Sequence, residues 1–262
     1  MTITQASLTS GSDLAGGTTA VTASISPTAD RLVLLSIVAG FTPTTNAAVP
    51  TSVSGAGLTF ALVNSEVDTT NGIIHALYRA LSASPSSGAV TATFANTISW
   101  ARWNVWEHGG VDTGGGNGSA AVVQSAKALD ATVSVSTLTA TLSAFGSATN
   151  GAAASHFWAN FTGAPETATV DTGWTEIYDG GDTDTGPVSF AVQSQWRASS
   201  DTSAAVTWSG TGYLSSIAVE IKEAAGVFNG PFTSRQSSQK PRRHRRPQSR
   251  GMTMETDLRE WW

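Results

Sequence analysis

The side chains able to do chemistry in this 262-residue chain fall into four groups. The first is aromatic. Trp100, Trp103 and Trp106 stand three apart in one segment, and Trp158, Trp174 and Trp196 follow later. In a strand, successive side chains alternate faces, so Trp100 and Trp106 share one face and Trp103 points to the other. An exposed indole stacks on sugar rings, which makes Trp103, Trp158, Trp174 and Trp196 candidates for a glycan platform. Indoles also fill volume, and a chain this rich in Ala needs large residues in its core.

The second group is acidic. Tyr178-Asp-Gly-Gly-Asp-Thr-Asp-Thr-Gly186 gathers Asp179, Asp182 and Asp184. Hard cations take such oxygens, but the bidentate Glu that closes a calcium loop is missing. Asp and Gly are also ordinary turn residues. The segment reads as a turn and a weak calcium candidate, and no other metal site is expected. The third group is catalytic in type. His75, His108, His156 and His244 show no HExxH spacing. Ser is abundant, yet no G-x-S-x-G elbow occurs. With no Cys, thiolate chemistry and Cys-ligated zinc are excluded. Glycoside hydrolysis needs two opposed carboxylates. Glu107, beside His108, has no partner acid by spacing and reads as a solvated strand edge. Neither catalysis nor a cofactor is expected.

The fourth group is the C-terminal arm. Residues 1–234 hold six Lys or Arg against sixteen Asp or Glu, a net of −10; residues 235–262 hold eight against three, a net of +5. Gly226–Ser238 is a linker by composition. Arg242, Arg243, Arg245 and Arg246 lie between two prolines and are expected to be extended. Met254, Leu258, Trp261 and Trp262 follow at helical spacing, with Glu255 and Arg259 placed to pair. Ten residues do not make a stable helix alone. Laid in an apolar groove, the same residues supply two Trp anchors. These eight Arg, Met, Leu and Trp side chains are therefore the expected partner-docking residues. The acidic body is not expected to bind nucleic acid. For the arm, the linker, the amphipathic Trp-Trp end and a body with no catalytic constellation favour pairing with acidic groups of a protein over nucleic acid.

The elements that must position these groups are strands. Thr18–Ser26 alternates apolar and small polar residues, and Arg31–Gly40 is an apolar run bounded by prolines. Further strands are expected over Leu58–Val67, Gly72–Leu81, Val90–Ala95, Trp100–Glu107, Ala121–Ala126, Thr132–Leu142, Ala153–Phe161, Thr175–Tyr178, Val188–Trp196, Ala205–Trp208 and Leu214–Ile221. Gly, Ser, Asn and Pro clusters separate them. No body segment carries a helical stripe. Two halves repeat one order of signals at an offset of roughly 114–118 residues: Gly57-Leu-Thr and Gly173-Trp-Thr, Tyr78-Arg-Ala and Trp196-Arg-Ala, Ala89–Phe94 and Ala204–Trp208. Two such units, each with an unburied face, would pair as a sandwich of about eight main strands.

Leu32–Ala39, Pro50–Thr59, Ile73–Ala80, Ala89–Phe94, Gly110–Asp112 and the closing strand Tyr213–Lys222 together resemble a jelly-roll module. That module recurs in tail-associated and other virion proteins of tailed bacteriophages, and in some secreted bacterial proteins. The resemblance spans about residues 18–223 and fixes no catalytic residue. It implies an all-β, jelly-roll-like antiparallel sandwich over 18–225, with an N-terminal segment 1–17 and an arm 226–262 ending in a short helix. It also implies a virion structural protein, most readily a minor tail or tail-tip protein with a role in host attachment. Capsid decoration or a neck appendage is the nearest alternative, and a carbohydrate-binding adhesion module outside any particle is the other. The expected partners are other virion proteins, further copies of the chain and a host-surface glycan, without membrane or nucleic acid. Met1–Gly16 has no signal-peptide character, so synthesis in the host cytoplasm is expected.

Overall fold

Strand after strand in this chain alternates hydroxyl-bearing with apolar residues. The computed structural model, which describes residues 2–160, 163–183 and 188–225, is built from antiparallel strands accordingly. The first half contains β1 (Thr4–Asp13), β2 (Gly17–Val21), β3 (Leu32–Phe41), β4 (Ser52–Gly55), β5 (Leu58–Thr59), β6 (Ala61–Asp68), β7 (Ile73–Ala80) and β8 (Val90–Gly109). The second contains β9 (Val122–Thr141), β10 (Gly151–Asn160), β11 (Ala168–Val170), β12 (Thr175–Thr183), β13 (Ser189–Arg197) and β14 (Ser203–Ile221). Among the described residues no helix is long and apolar enough to cross a membrane.

One sheet runs β5-β4-β8-β3-β7-β6, with β1 and β2 also paired to β8; the other runs β11-β14-β10-β13-β12, with β9 paired to β14. From β4 to β6 the first order corresponds to the second strand for strand, with β9 standing where β1 and β2 stand together and β5 having no counterpart. Registers correspond as well. Ser36 of β3 lies between Leu77 and Asn104, and Ser155 of β10 lies between Ser194 and Ile217. The duplication read from sequence is therefore a duplication of topology.

The antiparallel sandwich is as expected, and its strands number fourteen among the described residues. Val90–Ala95 and Trp100–Glu107 are one strand, β8, as are the two pairs of segments fused in β9 and β14. The turn-like residues between them are absorbed as register shifts, between Gly40 and Phe41 opposite β8 and between Thr207 and Gly212 in β14. Bulges let a long strand bend without ending. The body also begins earlier than residue 18: β1 pairs with β8 from Thr4 to Asp13. Its hydroxyls and glycines hide it from a search for apolar alternation. All described residues belong to the unit Met1–Gly226.

The bends create four layers. In the first half, the N-terminal part of β8 with β2, β4 and β5 forms an outer layer. Its Ala20, Val53, Leu58, Ala92 and Phe94 pack on Val33, Leu35, Ile37 and Trp103 of the inner layer. The second half repeats this, with Ala140, Leu138, Val206 and Trp208 on the inward side of β9 and β14. Between the halves the two inner layers meet. Leu32, Leu34, Leu77 and Trp106 join Ala153, Ile217 and Val219, while Val38, Ile73 and Trp100 join Phe157, Phe190 and Tyr213. Each half thus has a core of its own and shares a third. The inner strands are buried on both faces, so β3 reads as a continuous apolar run.

Candidate functional site

The strand parity of the Trp set holds: Trp100 and Trp106 face the other half, and Trp103 faces the core of its own half. The glycan platform does not. Trp103, Trp158 and Trp174 are 5%, 1% and 6% exposed, and Trp196 is half-buried. The cause is the Ala-rich composition. Trp174 lies among Ala140, Ala152, Ala154, Ala204 and Ala218, whose side chains leave the volume an indole fills. Trp158 sits beside Trp208, with ring centroids 6.4 Å apart. Trp103 lies against Gly11, where an added Cβ would come within 3.0 Å of the ring. Trp100 stacks on Phe190 of the other half at 4.0 Å.

The acidic segment is strand rather than turn as far as Thr183. Asp179 and Asp182 are three apart, so they leave β12 on opposite faces. Asp182 pairs with the Arg102 guanidinium, which also donates to the Tyr178 hydroxyl and lies 5.5 Å from the centre of that ring. Asp179 instead accepts the Ala168 amide at 3.1 Å. Burial pushes the Asp179 carboxyl up, and burial followed by Asp179 itself pushes Glu176 up. Asp184 lies outside the described residues. The two described carboxylates thus diverge, and calcium is not their shared ligand.

Arg102 was not singled out from sequence, and its pair is the most buried ionic link between the halves among the described residues, beside Lys127–Glu66 and Lys222–Asp112. It sits on β8 of the first half and reaches β12 of the second, where Gly180 leaves the necessary room: a Cβ there would stand 2.6 Å from the guanidinium. The junction also has a hydroxyl–imidazole centre. Ser36 and Ser155 meet at 2.6 Å across the two sheets, and His75 meets Ser155 at 3.1 Å and Ser215 at 3.0 Å. A second Ser–His contact, Ser216 with His156 at 2.7 Å, lies inside the second half. There the Gln195 side-chain amide donates to His156 Nε2 at 3.1 Å, so Nδ1 carries the proton and donates to Ser216. These contacts have the reach of a nucleophile and base, but both imidazoles and their serines are buried. Burial holds His75 and His156 down to about 3.

Glu107 and His108 are buried, not a solvated edge. Glu107 accepts from the Thr28 amide and hydroxyl at 2.8 Å each and pairs with Arg31 at 3.1 Å, which ties the loop before β3 to the end of β8. His108 Nε2 accepts from the Trp106 indole at 2.9 Å. The duplicated topology sets Glu220 of β14 in the place of Glu107, since Val33 pairs with Glu107 and Ala152 with Glu220. Among the described residues no cation pairs with Glu220: its two oxygens accept from the side-chain amides of Gln124 and Asn150, each at 2.6 Å. The Glu107–Glu220 offset was the sequence signal for this pair. Replacing Glu220 by Ala would leave the buried Asn150 amide without its acceptor and take one of two acceptors from the half-buried Gln124 amide, which also donates to the Ser143 carbonyl. The expected cost is about 3 kcal/mol in chemical denaturation, with Gln recovering part of it; a loss under about 1 kcal/mol would refute the role.

Compared with models of protein families, with curated proteins and with solved structures, the chain matches none. The docking residues Arg242, Arg243, Arg245, Arg246, Met254, Leu258, Trp261 and Trp262 lie outside the described residues. Of the groups within them, the histidines, the glutamates and Arg102 are engaged in joining strands and halves.

Proposed function

We propose that this chain is a structural protein of a tailed-phage virion, with residues 2–225 as the displayed body and residues 226–262 as the anchor. A minor tail or tail-tip position is preferred, with capsid decoration or a neck appendage as the alternative location. The observation that carries the reading is the division of charge. Eight of the fourteen basic residues lie beyond residue 234, after an acidic body whose described ionisable groups mostly serve its own strands and turns. A body of this kind offers rigidity, and an arm with a basic run and a Trp-Trp end offers attachment. The proposed work is non-covalent assembly: Arg242–Arg246 meet acidic groups, and Met254, Leu258, Trp261 and Trp262 fill an apolar groove on another virion protein.

Deleting residues 227–262 is the test. The truncated chain is expected to stay folded by circular dichroism and to lose at least tenfold in incorporation when it competes with the full chain during particle assembly. Equal incorporation of the two chains would overturn the assembly reading.

A further inference from the structure

The outward faces of the two outer layers share a property that neither core nor junction explains. Segments Leu14–Ala29, Thr42–Ser65 and Ala80–Ala101, which build the outer layer of the first half and its loops, contain no Asp, Glu, Lys or Arg. The β9, β11 and β14 segments that build the outer layer of the second half, Ala131–Thr141, Ala168–Val170 and Ser203–Gly212, contain none either. This holds in a body of net charge −10 (six basic less sixteen acidic residues). With alternate residues turned into the cores, the outward positions go mostly to Ser and Thr, with Leu14, Val21, Leu62 and Val133 as exposed apolar exceptions.

Register aligns these hydroxyls in rows. Thr93 of β8 lies between Thr19 of β2 and Ser52 of β4. Thr207 of β14 lies between Thr137 of β9 and Thr169 of β11. The duplication makes the two rows equivalent position by position. Five of the six side chains are exposed and Thr93 is half-buried. The Thr137 and Thr207 hydroxyls meet at 3.2 Å, so the row is formed at the side-chain level. Neighbours across the strands are about 4.8 Å apart, and alternate residues along a strand about 6.8 Å.

The chemistry of the rows selects among partners. Nucleic acid and anionic polymers need Lys or Arg, and these outer-layer segments have neither; Arg102 of β8 and Lys127 of β9 lie outside them and pair with Asp182 and Glu66. Protein interfaces concentrate aromatic residues, Met and Arg, and Ser and Thr are under-represented among their hot spots, whereas the indoles of these layers are buried. An uncharged polyhydroxylated chain suits what remains. Each hydroxyl both donates and accepts, and the Thr methyls offer shallow apolar contact to a sugar ring. We propose that the two hydroxyl rows are docking faces for a neutral polysaccharide. One face is centred on Thr93 and the other on Thr207, on opposite sides of the inner layers, and they engage neighbouring polysaccharide chains. Two weak sites on one rigid body reinforce each other when both are engaged. This inference concerns the body and does not rest on the assembly reading.

Affinity electrophoresis of the full chain through gels containing amylose, dextran or xylan tests it. Retardation is expected on at least one of the three, undiminished at high salt. Thr93→Lys and Thr207→Lys each place a charge in the middle of one row; each alone is expected to weaken retention several-fold and the double variant to abolish it. Thr93→Val with Thr207→Val, which removes only hydroxyls and keeps strand preference, guards against misfolding and is expected to weaken retention at least fivefold. Mobility unchanged on all three gels overturns the proposal, as does retention that the substitutions leave intact. Self-association that the same substitutions disrupt would assign the faces to a second copy and also overturn it. Incorporation into particles is measured separately, so either reading can fail alone.

Discussion

Between pH 7 and pH 5 the body is expected to lose about 6 kcal/mol of stability, about 2 kcal/mol from each of three histidines. His75, His108 and His156 are fully buried, and burial holds each of them down to about 3. In the unfolded chain the same imidazoles titrate near 6.5. The folded pKa lies below the unfolded one, so acid protonates the unfolded chain first and draws the equilibrium toward it. The contribution is complete above pH 6.5 and declines until the folded value near 3 is reached.

The partners of the three rings are hydroxyls, an indole, an amide and, for His108, the Thr4 backbone, whose hydrogen bond partly offsets burial. Glu66 lies opposite His75 in register, but its carboxylate is drawn to Lys127 at 3.3 Å. The guanidinium of Arg102, one strand beyond Val38 in the same row, is paired with Asp182. The raised carboxyls of Glu176 and Asp179 oppose the effect, and the lowered ones of Asp68, Asp112 and Asp130 add to it at lower pH. Urea denaturation at several pH values is the measurement. Below pH 6 the slope should approach three protons, about 4 kcal/mol per pH unit. A slope under one proton would refute the claim. Since a domain's total stability is about 5–15 kcal/mol, acid unfolding is expected near pH 4 to 5.

Trp106→Ala is expected to cost about 4 kcal/mol. Trp106 is among the largest fully buried side chains and stands where β8 meets the second half, with Leu32, Leu34 and Ala153 in its cluster. Its removal opens a cavity in a core both halves share, and strand pairing on both sides prevents collapse into the space. It also strips His108 Nε2 of its donor. Trp106→Phe separates these effects by keeping most of the ring volume while removing the indole N–H, and should cost less than half as much. Thermal and urea denaturation read both variants. A loss below about 1 kcal/mol for Trp106→Ala would mean that the halves do not depend on their shared core.

Much of the architecture is legible in the sequence because a strand buried on both faces, such as Leu32–Phe41, has few compositional alternatives. The repeated signals around Gly57 and Gly173 survive because equivalent strands meet equivalent demands. The site is far less legible. Trp103 and Trp158 looked available for stacking because a tryptophan's burial depends on what faces it, here Gly11 and Trp208. Asp182 looked like a turn ligand because its partner Arg102 is eighty residues away in sequence. Glu107 looked solvated because Thr28 and Arg31 meet it only when β3 lies beside β8.

By itself the sequence determined the all-β class, the antiparallel sandwich, the duplication and the division between an acidic body and a basic arm. Alternation, turn residues and charge are local or additive properties that survive without coordinates. Only the tertiary structure decided that each half keeps a core of its own and that the indoles lie inside. It also decided that His75, His108 and His156 are buried in the junction and the second-half core, and that Thr19, Thr93 and Ser52 align with their counterparts Thr137, Thr207 and Thr169. Those facts depend on which strand lies beside which and at what register, and a one-residue slip would turn every one of these side chains to the opposite face.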